Sequence, residues 1–140
     1  MKNTTLLIAE GTSIDKKTNQ WSIFNHIETF SIEDPQKEEF NLRGKFVIVS
    51  FWRKEDGDEN KFFEVTHELV DEEGKTLIRH NPIDIEVKMN SRNFKQRINL
   101  NKIPFTGEGE YYLRSLIREK GDKDFEESSR TSIKLRYKDE

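Results

Sequence analysis

Seven stretches of the chain alternate apolar and polar side chains with a period of two, and turn-forming residues separate them. That alternation gives a strand one face to bury and one to solvate. Thr4–Ala9 predicts a short strand, and the polar stretch Gly11–Asn19 predicts a connection. Trp21–Ile32 changes phase midway: Trp21, Ile23 and Ile27 hold one parity, Phe24, Phe30 and Ile32 the other. A phase change of this kind marks a bulge or a strand that crosses between sheets, here ended by Pro35.

Lys45–Arg53 is apolar on both parities, the pattern of a strand covered on both faces. In Lys61–Asp71, Phe63, Val65, His67 and Leu69 point inward, with Glu64, Thr66 and Glu68 outward. Glu73-Gly74 turns the chain into Thr76–Arg79, which Asn81-Pro82 breaks. Ile83, Ile85, Val87 and Met89 share a parity, as do Phe94, Ile98 and Leu100. Tyr111, Leu113, Ser115 and Ile117 oppose Tyr112, Arg114, Leu116 and Arg118. Thr131, Ile133, Leu135 and Tyr137 form the last inward row. No window carries the i, i+3, i+4, i+7 spacing of an amphipathic helix.

Short strands at this spacing predict an all-β, immunoglobulin-like antiparallel β-sandwich of about seven to nine strands, in a single domain over residues 1–140. Gly109-Glu110-Tyr111 supports the sandwich, because a Tyr at a strand start can fold its hydroxyl back onto the preceding corner. The expected core is Trp21, Phe46, Ile48, Trp52, Phe63, Val65, Ile85, Val87, Leu113, Ile133 and Leu135. Apolar residues are only 32% of the chain, a level at which disorder competes with folding. Ten Phe, held in register, supply large side chains for a thin core.

Ile8-Ala9-Glu10-Gly11, Asn25-His26-Ile27 after Ser22-Ile23-Phe24, Leu69 through Gly74, and Pro104 before Gly109-Glu110-Tyr111 occur in one order. In this the chain resembles a family of small bacterial proteins catalogued only as a domain of unknown function. The resemblance implies a cytoplasmic single-domain β-sandwich and carries no catalytic residues.

The chain has no Cys, which removes disulfides, thiolate metal sites and cysteine nucleophiles. The apolar run Leu6–Ala9 is too short for a secretory core, and no segment approaches the ~20 apolar residues of a membrane-spanning helix. These features predict a cytoplasmic protein that does not engage a membrane.

His26, His67 and His80 lack metal-ligand spacing. His67 stands out because its parity places it in an apolar row; it is either a base or ligand at a cleft, or a histidine satisfied within the sheet. Asp56-Gly57-Asp58-Glu59-Asn60 lacks the register of a calcium loop and predicts a solvated hairpin turn. Glu68, Asp71, Glu72 and Glu73 read as soluble surface beside a turn. Phosphate-binding glycine motifs and the nucleophile elbow are absent. No cofactor and no enzymatic activity are expected.

Charge is unevenly spread. Residues 87–107 contain no acid, while Lys88, Arg92, Lys95, Arg97 and Lys102 are basic. Residues 54–73 hold nine acids against Lys54 and Lys61. Either the two segments compensate as neighbours, or charged edges keep strands from pairing, or the basic segment binds. The leading reading is a non-enzymatic protein-interaction or scaffold module that engages a partner, or itself, through a sheet edge or end loops. Its surface would be Lys88, Arg92, Phe94, Lys95, Arg97 and Lys102. The alternative is a small-ligand binder or enzyme with a cleft near His67. The third is a nucleic-acid binder using segment 88–102, with Phe94 for stacking.

Overall fold

Period-two alternation yields strands throughout the computed structural model, which describes residues 1–33 and 39–138. Ten strands run in chain order, with no helix among the described residues: β1 (Lys2–Ile14), β2 (Trp21–Ile27), β3 (Thr29–Ile32), β4 (Phe40–Arg53), β5 (Phe62–Val70), β6 (Thr76–Arg79), β7 (Ile83–Glu86), β8 (Asn93–Phe105), β9 (Gly109–Glu119) and β10 (Glu126–Tyr137). They form two facing sheets. The first has the order β2-β1-β4-β8; the second has β3-β10-β9-β5-β6, with β7 also pairing β5. The protein is an antiparallel β-sandwich with more strands than the seven to nine expected, and one pair, β3 with β10, is parallel.

The extra strands have identifiable causes. The Trp21–Ile32 run crosses between sheets, as its phase change implies: β2 pairs β1 in the first sheet and β3 pairs β10 in the second. Pro35, expected to end that run, lies outside the described residues. The second sheet's edge opposite β5 is split into β6 and β7, because His80-Asn81-Pro82 interrupts it. The first strand runs past Ala9 to Ile14, so Gly11–Ile14 is strand where a connection was expected. Gly74, at φ +86°, makes the turn into β6.

Nine of the eleven expected core residues are buried; Trp21 and Phe46 are only partly so. Phe46 packs against the main apolar cluster, whereas Trp21 meets Phe51 edge-on outside the sandwich. There Ala9, Val47 and Val49 form a second layer with Leu7, Ile23 and Phe51, which is why β4 is apolar on both parities. The Tyr111 hydroxyl donates to the Gly107 carbonyl at 2.5 Å and accepts from the Thr106 N–H at 3.1 Å, so the corner expected from the sequence is made. Leu113, two residues on, is fully buried.

Between the sheets the core is in two parts. Leu6, Ile8, Ile48, Leu69, Leu113 and Ile133 belong to one; Trp52, Phe63, Val65, Ile85 and Val87 form the other. Inward positions on three strands show what divides them. Reading from one cluster to the other gives Ile48-Ser50-Trp52 on β4, Leu69-His67-Val65 on β5 and Leu113-Ser115-Ile117 on β9. A polar layer crosses the middle of the sandwich.

Candidate functional site

The polar layer is the first candidate. Ser50, His67 and Ser115 are fully buried and Asn3 nearly so. Buried polar groups need partners, and here each finds one. The sequence of contacts is Ser115 Oγ to Ser129 Oγ at 2.9 Å, Ser129 Oγ to Asn3 Oδ1, Asn3 Nδ2 to Ser50 Oγ at 3.0 Å, Ser50 Oγ to His67 Nε2 at 2.7 Å, and His67 Nδ1 to His80 Nε2 at 2.7 Å. His80 Nδ1 ends the series on the Asn81 carbonyl at 2.6 Å.

Donor counting assigns the tautomers. The Asn81 carbonyl can only accept, so His80 Nδ1 carries hydrogen. The backbone N–H of His67 donates to His80 Nε2 at 3.0 Å, so that nitrogen is an acceptor. His67 therefore donates from Nδ1 and accepts from Ser50 at Nε2. Asn3 Nδ2 donates to Ser50, and Ser129 donates to Asn3 Oδ1. All six hydrogen bonds run in one direction, and both imidazoles are neutral. Burial pushes His67 down to about 3, with His80 beside it acting the same way. His80 is also lowered, first by burial; the Asn81 carbonyl works against this and Arg79 adds to it.

Ser50, His67 and His80 have the spacing of a nucleophile, base and orienting group. Their setting gives no such chemistry. Neither Ser50 nor His67 exposes any surface to a substrate, and a base held near 3 takes up no proton at neutral pH. His67 lies wholly buried in the seam between the sheets. His26 is exposed on β2, away from the other two. Ser50 and the His67–His80 contact escape a reading of the chain, because only cross-strand register, with His67 opposite Ser115, brings the polar positions into line.

No protein-family model and no curated protein matches this chain.

The charged segments form the second candidate. Among the described residues, the acids of 54–73 make their ion pairs outside the basic segment, although the 54–60 loop hydrogen-bonds to Val87 and Arg92 through the backbone. Glu64 pairs with Arg118 at 3.4 Å, Glu68 with Arg114, and Glu59 with Lys54 at 3.3 Å. Glu68 and Thr66, expected outward, are buried, Glu68 in its ion pair with Arg114 and Thr66 with its hydroxyl on the His80 carbonyl. Asp71 accepts the N–H groups of Glu73 and Lys75 in its turn, and Glu72 accepts that of Glu110. Residues Asp56–Asn60 join β4 to β5, strands of different sheets, so the expected hairpin is a crossing loop. Among the described residues no three His, Asp or Glu are placed to hold a metal. Glu39, Asp71, Glu72, Glu73, Glu108 and Glu110 line an acidic groove of about 340 Å³ at one end of the sandwich.

The basic residues sit differently. Among the described residues, strand β8 pairs only β4 and is an edge strand of the first sheet, with β6 of the second sheet near it. Lys95 and Arg97 face out from the first sheet, Lys95 over the Phe51 ring at 5.4 Å and Arg97 reaching Thr12 at 3.3 Å. Phe94 turns the other way and packs partly buried against the Trp52 cluster, which removes it from stacking. The β4–β8 register shifts between Arg43 and Phe46, placing Gly44 and Lys45 opposite Asn101, and Lys102 pairs Arg43. Arg43 and Lys45, passed over in the sequence, thus join Lys95, Arg97 and Lys102 in one field. Lys88 and Arg92 lie in the β7–β8 connection instead. Among the described residues, none of these seven cations pairs with an acid within 4.0 Å. A groove of about 380 Å³ runs between β1 and β8 over β4, lined by Lys45, Arg97 and one acid, Glu10. No helix in the described chain is long and apolar enough to cross a membrane.

Proposed function

We propose that this protein is a non-enzymatic interaction module that uses the β8 edge and the cationic face beside it to bind an acidic, extended segment of another protein. The observation that carries the reading is the field of unpaired cations along an edge strand of thirteen residues. Open edges recruit strands, and alternating charge selects which strand is accepted. A second copy of β8 is a poor occupant, because its lysines and arginines would lie opposite their equals. An acidic strand gains attraction at the same positions.

Fluorescence anisotropy with a short labelled peptide of alternating glutamate and valine tests this. Lys45 and Lys102 are exposed, so Lys45→Glu with Lys102→Glu reverses charge without disturbing the core. Binding at low salt that weakens in high salt and in the double variant supports the proposal. Failure to bind the peptide overturns it, as does binding of single-stranded RNA in its place. Salt-sensitive oligomers in light scattering, abolished by the double variant, would replace the foreign partner with the acidic end groove of a second copy.

A further inference from the structure

The seam has an outer end, and it lies where the edge of the second sheet is broken. β6 covers β5 from Glu68 to Val70, and β7 covers it from Phe62 to Val65. At the gap, two groups of β5 turn to His80 in place of a strand. The His67 N–H donates to His80 Nε2, and the Thr66 hydroxyl donates to the His80 carbonyl at 2.8 Å. An imidazole completes the sheet edge.

We propose that His80 is an acid-released latch on this edge. Its Nε2 receives both the backbone N–H and the Nδ1–H of His67, a role open only to an unprotonated nitrogen. A proton placed there faces two donors and no acceptor. The imidazolium leaves for solvent, which it already touches, since His80 is only partly buried. His67 stays neutral inside, and β5 is left with an open N–H between β6 and β7.

The Asn81 carbonyl, accepting from Nδ1, favours the charged form, but among the described residues no acid is placed to accept a proton at Nε2. Ser50 and Trp52 of β4 face His67, Ser115 of β9 lies opposite it, and Asn3 of β1 stands behind Ser50. From β6 the nearest charge is Arg79, which disfavours the imidazolium. Glu64 and Glu68 of β5 turn outward to Arg118 and Arg114 of β9, and Asp84 of β7 is taken by Lys120 at 3.3 Å. Glu86 of β7 is exposed.

Hydrogen exchange from pH 7.5 to pH 4, corrected for intrinsic rate, tests the latch alongside the imidazole proton shifts of His80. One proton per opening makes the protection of the His67 amide fall about tenfold per pH unit below the release point. The β9 and β10 amides keep their protection through that range. His80→Gln retains an acceptor and cannot titrate, so its His67 amide stays protected at pH 5. The proposal is overturned if the His80 shifts titrate while the His67 amide stays protected, or if β9 and β10 lose protection at the same pH. The wild-type titration decides the matter even if the variant does not fold.

Discussion

Ser50→Ala puts the donor assignment of the seam under direct test. The Ser50 hydroxyl gives its proton to His67 Nε2 and accepts from Asn3 Nδ2. Without it, Asn3 Nδ2 still reaches the Phe51 carbonyl at 3.0 Å, but His67 Nε2 becomes a buried acceptor with no donor. An orphaned buried group costs about 1–3 kcal/mol. His67→Leu has a matching cost, since it strands the Ser50 proton in a site with no exposed surface. Removing both partners together leaves neither orphan. The double variant should therefore lose about 2–6 kcal/mol less than the sum of the two singles, one orphan cost for each. Urea unfolding at pH 7.5, followed by the fluorescence of fully buried Trp52, measures all three. Additivity within about 0.5 kcal/mol, or a neutral Ser50→Ala, refutes the hydrogen-bond order given above.

Two further outcomes follow from the same geometry. The unfolded His67 titrates near 6.5 and the native one near 3, so below 6.5 only the unfolded chain takes up this proton. Stability should fall with falling pH by about 1.4 kcal/mol per unit on this account, and the fall between pH 6.5 and 5 should shrink by about 2 kcal/mol in His67→Leu; parallel stability curves would contradict it. Tyr111→Phe removes a hydroxyl that both donates to Gly107 and accepts from Thr106, and should cost about 1–2 kcal/mol in thermal or urea unfolding with the secondary structure retained.

Period-two patterning shows the strands because parity is a local property. Phe63, Val65 and Leu69 announce their face without reference to any other strand. Register is not local, and the site is made of register. Ser115 and His67 each sit visibly in an inward row, yet only their cross-strand pairing and the approach of β4 make them part of one layer. The basic field was half visible for the same reason: Lys95, Arg97 and Lys102 are near in sequence, while Arg43 and Lys45 arrive through the β4–β8 pairing. Phe94 shows the opposite limit. Its aromatic ring suggested a binding platform, but its parity with Ile98 and Leu100 already placed it on the inner face.

The polar layer also gives the two sheets an address. Apolar faces that repeat every two residues have no strong preference among alignments two residues apart. Sliding β5 by that distance would set His67 against Ile48 or Trp52 instead of Ser50, with its ring nitrogens facing hydrocarbon. Each misaligned state then strands several hydrogen-bonding groups at once, while the native alignment strands none of the six. A thin core of few apolar residues, able to collapse in several ways, is thereby held to one.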